Sequence, residues 1–121
     1  GDGQGRMKPV PPHVMVYEIS GPMFFGAADK IPHLEPSARR RVLILRMRSV
    51  PAMDITALNS LQRLCEECRE NGIVVIFSHV NDQPMSVFRK SGLFERVGAE
   101  NFAANIDAAL ARAVELDASR V

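Results

Sequence analysis

The stretch Arg41-Val42-Leu43-Ile44-Leu45-Arg46-Met47-Arg48-Ser49-Val50-Pro51-Ala52-Met53-Asp54-Ile55-Thr56-Ala57-Leu58 passes from one backbone period to another. Arg41 to Met47 reads as a strand whose uninterrupted apolar stretch, Val42-Leu43-Ile44-Leu45, is of the kind found in strands covered on both faces. From Ile55 the spacing changes. Leu58, Leu61, Leu64, Cys65 and Cys68 recur at intervals of three and four, which predicts a helix from Ile55 to Asn71. Asn71-Gly72 supplies its stop. A strand therefore leads through a short turn into a helix start, where free N–H groups and a partial positive charge are presented. Asp54 is placed to cap those donors, accepting from the N–H of Thr56 or of the next residue. Capping accounts for Asp54 but not for a β-branched hydroxyl at Thr56, which makes Thr56 the residue to be modified or contacted.

The same reading extends outward. His13 to Ile19 is rich in strand formers, and Gly21-Pro22 breaks it. Met23-Phe24-Phe25-Gly26-Ala27-Ala28 is the densest apolar cluster outside regular elements, with a short helix expected through about Ile31 before Pro32. Ile73 to Phe77 reads as a buried strand. Asn81-Asp82-Gln83-Pro84 reads as a cap with an early proline, opening a helix that ends at Ser91-Gly92. A short strand is expected near Phe94 to Val97. A last helix carries Ile106, Ala109, Leu110, Ala113 and Val114 on one stripe. Buried strands alternating with helices predict an α/β fold: a mostly parallel sheet of about four to five strands, covered by about four helices.

At 121 residues the chain suits one domain with a single core. Residues 1–12 lack periodicity and are Pro- and Gly-rich, so they read as a linker or expression remnant, leaving 13–121 as the folded domain. A net charge of +1 provides no global field for nucleic acid or an anionic membrane. No apolar run reaches the roughly 18 residues that span a bilayer. Two cysteines without a secretory signal fit a reducing, cytosolic setting.

Ligand sites in open α/β sheets lie outside the carboxyl ends of the strands. That rule gathers Phe24 and Phe25, Met53, Asp54 and Thr56, and Ser78 and His79. Adjacent strand residues point to opposite faces, so Ser78 and His79 make no nucleophile–base dyad, and His79 reads as a loop residue. Arg46 and Arg48, two apart, project to one side. They read first as a solvated basic edge and second as a pair holding an anion or acidic partner near the Asp54 loop. Cys65-Glu66-Glu67-Cys68 falls in the second half of a helix on its apolar stripe, away from the helix start that activates a redox thiol, and zinc would need two more ligands. Both cysteines therefore read as buried small hydrophobes. No catalytic pair, metal set or cofactor motif is present, which predicts a non-enzymatic chain without cofactor or metal.

Several phrases together resemble the STAS domain, the fold shared by bacterial anti-sigma-factor antagonists and the carboxyl-terminal regions of SulP (sulfate permease) anion transporters. They are Val16-Tyr17-Glu18-Ile19-Ser20-Gly21-Pro22-Met23-Phe24-Phe25-Gly26-Ala27-Ala28-Asp29-Lys30, Val50 to Leu58, Lys90-Ser91-Gly92-Leu93, and Asn105-Ile106-Asp107-Ala108-Ala109-Leu110. The first is typical of the transporter branch. The antagonist branch reads Asp-Ser-Ser-Gly in the Asp54 loop, and its second hydroxyl is phosphorylated. Thr56 occupies that phosphosite-equivalent position, while Ile55 replaces the first Ser and Ala57 the Gly. Alanine favours helix over glycine, so the resemblance implies a stiffer helix start that has left simple phospho-switching. It further implies a regulatory, protein-interaction module at the cytoplasmic face of the cell membrane, joined to the membrane domain of a sulfate, bicarbonate or dicarboxylate transporter. Cytosolic partners implied by relatives include an acyl carrier protein and weakly bound nucleotide. The competing expectation is a free-standing anti-sigma-factor antagonist switched at Thr56.

Overall fold

The computed structural model describes residue 11, residues 13–21 and residues 42–118, with residues 117 and 118 as backbone only. Phe24 and Phe25, the helix expected before Pro32, and nearly all of the 1–12 segment lie outside these residues.

Strand β1 spans Val14–Ser20 and β2 Val42–Ser49. Helix α1 spans Ile55–Glu70, followed by β3 at Val74–Ser78. Helix α2 covers Asp82–Ser91 and α3 Leu93–Val97. After a 3₁₀ turn at Ala99–Asn101 come β4, only Phe102–Ala103, and α4, Ile106–Ala118. The sheet runs β1-β2-β3-β4, parallel at every pairing, as the α/β reading expects.

Strand alternation divides the core. Leu43, Leu45 and Met47 of β2 join Val75 and Phe77 of β3 under α1, α2 and α3. Val42, Ile44 and Ile76 turn the other way and meet Ala109, Leu110 and Ala113 of α4. Both faces of β2 are thus covered, which is why Val42 to Met47 is buried without interruption. On α1 the buried positions are Ala57, Leu58, Leu61, Leu64 and Cys68; of the stripe read from spacing, Cys65 is only half-buried, while Ala57 is an addition to it. Each buried leucine contributes roughly 2 kcal/mol. Gly72 adopts φ 72°, a left-handed conformation that costs glycine nothing and lets the chain reverse into β3.

Three expectations need correction. Phe94 to Val97 lies in helix α3, and the strand appears later, at Phe102–Ala103. Leu93 and Val97 are four apart and Phe94 and Val97 three apart, which is helical spacing, whereas β4 is too short to display alternation. Val114 is 54% exposed and leaves the α4 stripe. Ala109 and Ala113 approach the sheet most closely, and one residue beyond Ala113 turns the side chain about 100° away. Asn81 does precede α2, but its side chain makes no cap hydrogen bond.

Candidate functional site

The carboxyl ends of β2 and β3 lead into two loops that are locked together. The Asn81 side-chain nitrogen donates to the carbonyls of Val50 (2.8 Å), Arg48 (3.0 Å) and Met47 (3.5 Å). All three partners are acceptors, so the amide must present its NH₂ to them. Two residues on, Gln83 pairs with the Met53 backbone in both directions. Met53 N–H donates to Oε1 at 2.9 Å, and Nε2 donates to the Met53 carbonyl at 3.2 Å. The start of α2 therefore grips the whole turn between β2 and α1.

That turn presents the start of α1. Asp54 accepts from Ala57 N–H at 3.0 Å, the cap expected from the sequence, and contributes about 1 kcal/mol. Ile55 is 65% exposed at the first helical position, Thr56 is half-buried at the second, and Pro51 is exposed. His79 adds an exposed side chain from the neighbouring loop. Its φ is 57°, a left-handed value uncommon outside glycine, and its N–H donates to the Ala103 carbonyl at 2.9 Å.

Other expected site residues go elsewhere. Met53 is 2% exposed and belongs to the core, so it forms no surface patch. Arg46 is 6% exposed, which overturns the solvated basic edge for that residue. Glu18 faces it from β1, at 3.8 Å from Arg46 and 3.8 Å from Arg48, so a carboxylate already sits between the two guanidiniums. The register aligns Glu18 with Arg46 and Arg46 with Ser78, and alternation turns this row toward the α4 face. Arg46, Arg48 and the buried Ser78 are therefore separated by the sheet from the core beneath Asp54. Phe24 and Phe25 lie outside the described residues.

Asn81, Gln83 and Glu18 escaped the sequence reading. Asn81 was visible only as a cap because its true partners are 31 to 34 residues away. Replacing Asn81 with alanine takes the side-chain donor from the Arg48 and Val50 carbonyls, while the Met47 carbonyl keeps the Val50 N–H at 2.9 Å, and is expected to cost about 2 kcal/mol in a urea titration. Asn81→Asp should not restore the loss, although aspartate is an equally good cap, because a carboxylate has no proton to donate. Full stability in the aspartate variant would show that Asn81 acts only as a cap.

Comparison with known proteins agrees with this architecture. The STAS domain family model matches residues 6–109. The putative sulfate transporter YvdB of Bacillus subtilis (strain 168) is 35% identical over 95 residues, covering 75% of this chain but only 18% of that protein. The chain thus spans less than a fifth of the length of this relative. Among solved structures, a sulfate transporter family protein from Wolinella succinogenes superposes with a TM-score of 0.81 at 36% identity, covering 92% of this chain and 93% of the other. The SulP transporter STAS domain from Vibrio cholerae gives 0.77 at 29% identity, covering 93% and 89%. A parallel four-stranded sheet between helices, a capped α1 start and a match over most of its length together establish that the chain belongs to the STAS domain family.

Proposed function

We propose that this domain is the cytoplasmic, non-catalytic regulatory module of a SulP-type anion transporter, and that its contact surface for the membrane domain or a cytosolic regulator is the start of α1 with the adjoining β3–α2 loop. The observation that carries the surface is the exposure of Ile55 on a turn clamped by Asn81 and Gln83. A large apolar side chain held rigidly at a surface loses little entropy on docking, and such residues make effective contact points. The relatives named as sulfate transporters support the assignment to a transporter.

The test uses the complete reading frame, in which membrane-spanning segments are expected upstream. Ile55→Asp in the whole protein should lower anion uptake by membrane vesicles at least fivefold, while the unfolding midpoint of the 121-residue chain stays unchanged. Thr56→Glu should also leave the fold intact, since an acidic residue in the first helical turn interacts favourably with the dipole by about 0.5 kcal/mol. It should nonetheless reduce uptake if the surface docks. A reading frame without membrane spans, or full transport by both variants, would overturn the proposal.

A further inference from the structure

At the opposite pole from these loops, the amino end of β3 borders a cavity of about 220 Å³. It opens between the second half of α1 and the α3 turn. Its floor is apolar, formed by Ile73, Val75, Leu93 and Val97 with the Cys65 thiol at one side. Arg69 on α1 and Arg96 on α3, both solvent-exposed, line it together with one carboxylate, that of Glu66. Among the described residues neither guanidinium makes an ion pair or side-chain hydrogen bond. Strand β4 pairs only with Phe77 and Ser78, so Val74 and Val75 also line the cavity at a stretch of β3 without a strand partner on that side.

The space equals about seven water volumes, enough for a small organic molecule. Water filling it would lie against the apolar floor of Ile73, Val75, Leu93 and Val97, while Gln62 and Asn101 join the charged groups as the polar part of the lining. An apolar body would cover the apolar part of those walls, and a terminal carboxylate would find the guanidiniums of Arg69 and Arg96 in the same lining, each able to donate charge-assisted hydrogen bonds. We propose that this cavity is a binding site for a small amphipathic carboxylate, an aromatic or branched-chain acid with one negative end. The charge balance at the rim, two arginines to one glutamate, selects an anion over a cation or a neutral molecule. None of the loops assigned to partner docking lines it, so the two proposals stand or fall separately.

The 121-residue chain would be ¹⁵N-labelled and titrated with benzoate, 4-methylpentanoate and benzyl alcohol, following amide shifts. Benzoate and 4-methylpentanoate should shift the amides of Cys65, Ile73, Val75 and Val97. Benzyl alcohol should bind at least tenfold more weakly. Arg69→Gln and Arg96→Gln should each weaken benzoate about tenfold, the effect of losing one charge-assisted hydrogen bond. Both arginines are solvent-exposed, so the variants should retain the parent spectrum elsewhere. The proposal is overturned by any of three results: no shift at these amides with about 50 mM acid, equal affinity for benzoate and benzyl alcohol, or undiminished benzoate binding when both arginines are replaced.

Discussion

Replacing Phe77 with alanine should lower the unfolding free energy by about 4 kcal/mol, a large share of the 5–15 kcal/mol typical of a domain. Phe77 is fully buried on β3 and stacks on Phe102 at 5.1 Å and 9° between planes. Phe88 of α2 meets it at 5.1 Å and 56°, and Phe94 of α3 touches Phe102 at 4.7 Å. The ring thus joins β3 directly to β4 and α2, with α3 reached through Phe102, and its removal leaves a hole at the centre of the cluster. Chemical denaturation measures the loss. Phe94→Ala should cost less than half as much, since Phe94 is only half-buried under the Arg89 guanidinium, which lies 4.2 Å from its centroid. Comparable losses at the two positions would contradict the assignment of Phe77 as the centre of this cluster.

The second large effect is alkaline destabilisation through the α1 thiols. Burial pushes Cys65 up to about 12, with the neighbouring Cys68 adding to the rise and Arg96 opposing it. Burial pushes Cys68 to about 12 as well, with Glu67 contributing. The folded chain holds these protons more tightly than the unfolded one. The thiols' contribution is therefore complete below the unfolded value of 9.0 and disappears as pH rises toward 12. At about pH 10.5 the expected loss is about 2 kcal/mol per thiol, each pH step costing about 1.4 kcal/mol. Urea midpoints at neutral pH and at about pH 10.5 measure it, and the variant with both cysteines changed to alanine should flatten the profile. An equally steep loss in that variant would assign the effect to other groups. The same burial makes both thiols poor nucleophiles near neutrality, which agrees with reading Cys65 and Cys68 as packing residues.

These two effects differ in how far the sequence revealed them. The cysteines could be placed on the apolar stripe of α1 because helical spacing alone carries them there. The aromatic cluster could not be assembled, since Phe77, Phe88, Phe94 and Phe102 come from four elements and a periodicity sees only one at a time. The local pattern even predicts a strand at Phe94, which lies in helix α3. Short segments such as Leu93–Val97 contain too few residues for either period to dominate, and tertiary packing decides.

The candidate site divides the same way. The capped α1 start, with Asp54 on Ala57 and Thr56 in the first turn, follows from local chemistry. The fate of Arg46 does not, because strand spacing told only that it shares a side with Arg48. Which face that side became, and that Glu18 would stand opposite, depended on the register between β1 and β2.

From sequence alone came the parallel α/β order, the extent of α1, and the turn from Val50 to Asp54 as a surface of interest, because each rests on spacing within a few residues. Only the tertiary structure decided that Met53 is core, that Ile55 and His79 are the exposed groups, and that Asn81 and Gln83 hold the turn in place. Burial and long-range hydrogen bonds depend on residues some thirty positions apart meeting in space. No local pattern encodes that meeting.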